Sequence, residues 1–130
     1  MREILFRGRD ISGQWHYGVP LIFTEDFVCI TAPHTFNKKV ETETLGQYTG
    51  LTDKNGKKIF EGDIISIQFV EDEYFVEDRI YYENGEVYFD TEHYGWYVRF
   101  YDDFLSLWEY DDSEIAVIGN IYDNPELMEA

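Results

Sequence analysis

The chain has 130 residues, the size of one domain. Its 10 Lys and Arg against 27 Asp and Glu give a formal charge of −17, which argues against a domain that grips nucleic-acid phosphates or an anionic membrane through a basic face. With 44% hydrophobic and 18% aromatic residues it carries too much apolar surface to stay disordered, so a core is expected.

The charge is uneven. Residues 1–58 carry 8 basic and 7 acidic side chains, a net of +1, and residues 59–130 carry 2 and 20, a net of −18. No Pro-, Ser- or Gly-rich linker marks the change. The chain therefore reads as a single domain over 1–130, near-neutral over about 1–58 and acidic over about 59–130. The lone Cys29, flanked by Phe27, Val28 and Ile30, rules out an intrachain disulfide and reads as a small buried hydrophobe. Neither an apolar leader nor an apolar run of about 20 residues is present, and the expected location is the reducing cytoplasm.

Residue types favour strands throughout. Glu3 to Arg7 reads as a first strand ended by Gly8, and Gln14 to Tyr17 as a second, continuing over Leu21–Thr24 after Gly18 and Pro20. Phe27 to Thr31 is a third, joined through a tight turn at Thr24-Glu25-Asp26. Pro33 to Lys39 reads as a loop. Thr52-Asp53-Lys54-Asn55-Gly56-Lys57-Lys58 resembles the middle of a calcium loop, but aligning Gly56 to its sixth position puts Leu51 and Gly62 where acidic ligands are needed. It is a plain turn.

Ile64 to Val70 alternates, with Ile65, Ile67 and Phe69 on one face. Asn84-Gly85 fits a two-residue hairpin turn of type I′. That register pairs Tyr82 with Val87 and Ile80 with Phe89, and assigns those four residues to the core. Gly95 to Tyr101 is another aromatic strand, Phe104 to Tyr110 suits either a strand or one helical turn, and Ile115 to Tyr122 reads as a central strand. Asn124-Pro125 opens a short C-terminal helix. Many short strands separated by turns make the fold mainly β, a small barrel or sandwich.

Three blocks then carry a resemblance: Arg2-Glu3-Ile4-Leu5-Phe6-Arg7-Gly8 with Trp15 and Tyr17-Gly18; the long run Gly46 to Ile64 containing Gly50-Leu51-Thr52-Asp53 and Phe60-Glu61-Gly62-Asp63; and Val117 to Leu127. Together they resemble the YopX family of phage and prophage proteins. The resemblance implies a mainly β protein with an SH3-like barrel, additional N-terminal strands and a short C-terminal helix, encoded by a bacteriophage or an integrated prophage. It implies no activity and no site residues.

The residues point to no reaction. His16, His34 and His93 are far apart, no Ser or Cys sits in a nucleophile elbow, and no Gly-rich phosphate loop precedes a helix. The expectation is a non-enzymatic protein without catalytic residues, metal or cofactor. Alternating aromatics without a basic groove read as core, so no direct nucleic-acid contact is expected. The leading function is a binding module whose acidic half engages a host or phage protein, with Glu71, Asp72, Glu73, Asp111 and Asp112 as the candidate contact residues. Its sharpest form is a DNA mimic. The alternative is a structural protein assembling as a homo-oligomer.

Overall fold

The computed structural model describes residues 3–34, 36–71, 79–101 and 103–129. Its contacts divide the chain into two compact units, Met1–Gly50 and Leu51–Ala130. The strands are β1 (Phe6–Arg9), β2 (Trp15–Thr24), β3 (Phe27–Thr31), β4 (Lys38–Val40), β5 (Gly46–Thr52), β6 (Lys58–Phe60), β7 (Asp63–Glu71), β8 (Arg79–Asp90), β9 (Gly95–Arg99), β10 (Phe104–Ser106) and β11 (Ile115–Asn120). The helical segments between and after them are single 3₁₀ turns, including the C-terminal one at Pro125–Met128. The mainly β expectation holds.

In the first unit the strand order is β4-β3-β2-β1-β5, antiparallel from β4 to β5. β2 runs unbroken through Gly18 and Pro20, where two segments were expected, and β1 continues through Gly8 to Arg9. The segment expected to be a loop ends in β4, which pairs Val40 with Val28. Val28, Ile30 and Val40 form a small core with Phe6 and Leu45 packed on it, while Cys29 is buried as expected.

In the second unit β7 to β11 form an antiparallel sheet ordered β10-β9-β8-β7-β11. Its core is Ile59, Ile65, Ile67, Val87, Trp96, Val98, Phe100, Leu107 and Ile115, with Phe69 packed against it. The alternation of β7 thus holds. The expected closed barrel is not seen: among the described residues no ladder joins β10 to β11. β10 is only three residues long and turns directly into a 3₁₀ segment at Leu107–Glu109, so it does not run on to meet β11. The ambiguous stretch from Phe104 is therefore a strand and then a helical turn.

Two further expectations are corrected. Asn84-Gly85 is no turn: β8 passes straight through it, pairing Asn84 with Ser66 and Gly85 with Ile65. The glycine serves close packing, since a Cβ there would lie 2.3 Å from Val98 Cγ1. The reversal comes instead after Asp90, whose Oδ1 accepts the N–H groups of Glu92 (2.8 Å) and His93 (3.1 Å). With β8 continuous, Ile80 and Tyr82 fall on the face opposite Val87 and are exposed; Val87 is buried, and Phe89, on the Val87 face and opposite Trp96, is partly exposed near the strand's end. Finally, β11 is an edge strand, not a central one.

Candidate functional site

The Gly46–Ile64 run is built as scaffold. Asp53 is almost fully buried at the head of the turn, with Gly56 at φ +78° completing it. Its Oδ1 accepts the N–H groups of Asn55 and Lys57, both at 2.9 Å, and its Oδ2 accepts that of Val117 at 2.9 Å. Lys54 N–H donates to Ile115 O at 3.0 Å, so the turn covers the outer flank of β11. Burial pushes the Asp53 carboxyl up, but the bonds from Val117, Lys57 and Asn55 and the Lys57 charge outweigh it, leaving it below the ordinary value. Asp63, also buried, accepts the Phe60 N–H at 2.7 Å. These carboxylates are occupied by backbone and hold strands together. Among the described residues, no group of three or more His, Cys, Asp or Glu side chains is placed to hold a metal ion.

In the first unit a side-chain constellation forms around Asp10. His16 Nε2 lies 2.7 Å from Asp10 Oδ2, while Asp10 Oδ1 accepts the Ser12 hydroxyl at 2.6 Å and the Ser12 and Gln14 N–H groups. The bond with His16, then that with Ser12, holds the Asp10 carboxyl well below the usual range. The Ser12 hydroxyl faces Asp10, not the imidazole, so the set closes the β1–β2 turn and does not activate a nucleophile.

The acidic residues predicted to bind a partner lie in the second unit. Glu71 is the last residue of β7, paired with Arg79; Asp72 and Glu73 fall outside the described residues. Asp111 caps the 3₁₀ turn Asp112–Glu114 by accepting the Ser113 N–H at 3.0 Å. Because Ile67 pairs with Ile115, the end of β7 and the Asp111–Glu114 turn lie toward the same end of the sheet. The Ser113 N–H, then the neighbouring Asp112 carboxyl, lowers Asp111, and the bond from Asp111 raises Asp112.

Beside this turn, Tyr110 packs edge-on against Phe69 at 5.9 Å, and Phe69 stacks on Tyr81 at 5.4 Å. The Tyr110 hydroxyl is pushed up to about 12, first by burial and then by the negative charges of Glu109, Glu114, Asp103 and Glu83. Four carboxylates from separate segments thus act on one ring. The sequence singles out Asp111 and Asp112 but not Glu109, Glu114 or Asp103, and the expected turn at Asn84 puts Glu83 at a hairpin tip, away from Tyr110.

The comparisons bear on this arrangement. The family model described as YopX protein matches residues 21–129. The chain belongs to the YopX family. Its fold is similar to the crystal structure of protein EF1440 from Enterococcus faecalis, with a TM-score of 0.61 and 26% identity over 99% of this chain and 100% of that one. A search of curated proteins gives no match. The family match covers the Asp53 turn, the β7–β8 pair and the acidic turn alike. No helix among the described residues is long and apolar enough to cross a membrane.

Proposed function

We propose that this YopX protein is a non-catalytic binding module, phage- or prophage-encoded and acting in the host cytoplasm, whose acidic second unit engages a basic protein surface. The observation that carries the reading is the acidic pair of 3₁₀ turns around Tyr110: Glu109 ends the first, Asp111 caps the second, and Asp112 and Glu114 lie in it, beside the Tyr110–Phe69 contact. The aromatic neighbours supply contact area, with Tyr81, Tyr82 and Trp108 exposed. Glu71, the last residue of β7, lies toward the same end of the sheet as this turn and is included in the proposal. In its sharpest form the surface takes the place of nucleic acid on the partner, and duplex DNA then competes for that partner.

The test is capture of host proteins by wild type and by a variant with Glu109, Asp111, Asp112 and Glu114 changed to their amides, at two salt concentrations. Charge complementarity acts mainly on encounter, so the variant should capture less and lose its salt dependence. The same captured set from both proteins at both salts overturns the reading.

A second reading, assembly as a homo-oligomer, is favoured by the first unit. Tyr17, Val19, Leu21, Phe23 and Phe27 of the β2–β3 hairpin are all exposed, and Phe23 meets Phe27 edge-on at 5.2 Å. Such apolar surface suits contact with a second copy. Sedimentation of wild type against Val19→Glu checks it: an oligomer that the substitution splits supports the reading, and a wild-type monomer at high concentration removes it.

A further inference from the structure

Strand β8 is covered on its two flanks over different lengths. β7 pairs with it from Arg79 to Glu86, whereas β9 pairs with it only from Glu86 to Asp90. Among the described residues, no strand pairs with its second flank between Arg79 and Gly85. In an antiparallel ladder every second residue turns both its N–H and its C=O to that flank. The strand is only lightly protected against pairing there: Arg79 and Glu83 are its charged residues, Ile80, Tyr81 and Tyr82 are exposed, and the stretch holds neither Lys nor Pro.

The chain that would have continued β9 turns away instead, with Phe100 N–H donating to Asp103 O at 2.8 Å. On the same side the C-terminal 3₁₀ turn is tied to β8 by Asn84 Nδ2 donating to Leu127 O at 3.0 Å. A cleft of about 330 Å³ lies here, lined among others by Tyr82, Glu83, Tyr101 and Glu129. Tyr82 is 62% exposed and Tyr101 86%, and among the described residues no Lys or Arg lines the cleft. Aromatic faces beside carboxylates recognise an ammonium or guanidinium group.

We propose that an extended basic segment of a partner protein adds to the open flank of β8 in the line of β9, placing one Lys or Arg side chain in this cleft. The inference rests on the acidic-surface reading above and gives its mode of recognition, strand addition with a side-chain pocket. A second copy of this chain is a poor occupant, because it would bring another net −17 to a unit whose residues 59–130 already carry −18. An open flank seven residues long accepts a segment of about six residues at roughly 3.4 Å per residue.

The probe is a peptide of about that length alternating Lys and Val, acetylated and amidated, titrated into the full chain. Two relatives accompany it: one methylated on every backbone nitrogen, which keeps the charge and removes the donors, and one with Gln for every Lys. We expect both relatives to bind about tenfold or more weakly than the parent, each having lost several kcal/mol-scale contacts. Alternate amides between Ile80 and Asn84 should gain hydrogen-exchange protection with the parent. Tyr82→Ser and Glu129→Gln should each weaken it by about threefold to tenfold at an unchanged melting temperature, the effect of one cation–π or carboxylate contact. If the methylated peptide binds within twofold of the parent, strand addition is wrong while the acidic-surface reading stands. If the Gln peptide binds as the parent does, the basic occupant is wrong. If none of the three binds, both readings fall.

Discussion

Replacing Asp53 tests what the long Gly46–Ile64 run is for. Asp53→Ala removes the acceptor of three N–H groups. Asn55 and Lys57 lie on an exposed turn, so water takes over there and each loss is about 0.5–1 kcal/mol. The Val117 N–H points at a buried carboxylate, and leaving it unpaired costs about 1–3 kcal/mol. The sum is about 3 kcal/mol, or about 10 °C of melting temperature for a chain of this size. Asp53→Asn keeps one oxygen acceptor and turns an NH₂ on the other donors, so about half that loss is expected. Urea unfolding followed by the fluorescence of Trp96 and Trp108 reads both variants. The pH dependence has a definite sign. The folded pKa is depressed, so the charged carboxylate stabilises above the unfolded value of 3.8 and this contribution fades as pH falls through the folded value. The gap between wild type and Asp53→Asn should be full at neutral pH and narrow below about pH 4. A neutral-pH loss for Asp53→Ala below about 0.5 kcal/mol, or a gap that widens in acid, refutes this account.

Other outcomes follow from the packing. Gly85→Ala puts a Cβ 2.3 Å from Val98 Cγ1 and 3.1 Å from Phe100 Cε1, and should cost about 1–3 kcal/mol in a thermal melt; an unchanged melt would return Gly85 to a turn. Ile65→Ala, at a fully buried site, should cost about 2–5 kcal/mol, whereas Phe89→Ala, at a site 42% exposed, should cost less than about 2 kcal/mol; equal losses would mean that Phe89 is buried. Added NaCl should raise the melting temperature at neutral pH, because the net −18 over residues 59–130 repels itself and is screened within about 8–10 Å at ordinary ionic strength. A melting temperature falling from low to moderate salt would show that ion pairs outweigh the repulsion.

The alternation of Ile65, Ile67 and Phe69 was legible because β7 buries one face continuously, and Phe27–Thr31 because apolar residues fill it between turn signals. The error at Asn84-Gly85 has a local cause. Asn-Gly satisfies a hairpin turn and a close strand crossing equally, and only the distant Val98 decides between them. The true turn was hidden because it is built from the Asp90 side chain and a positive φ at Tyr94, without an Asn-Gly or Asp-Gly pair. β11 looked central because its apolar run is long, yet what covers its outer flank is the Asp53 turn, more than sixty positions earlier in the chain. Of the acidic surface, the run around Asp111 could be read directly. The approach of Glu83 and Asp103 to Tyr110 could not, since it depends on sheet register.

The bonds from Asp53 to Val117 and from Ile121 to Gly62 also set an order for events during synthesis. Both join early parts of the second unit to its last strand region, so the first cannot form before position 117 has left the ribosome, nor the second before position 121. At about 5–20 residues per second, about 3–14 s separate the appearance of Asp53 from that of Ile121. Throughout that interval the flank of β7 that β11 will cover stays open, with Ile65 and Ile67 still waiting for their partners Val117 and Ile115. The nascent second unit is therefore most exposed to wrong pairing just before its final strand arrives, and by then the chain already carries most of its negative charge, which opposes contact between neighbouring copies.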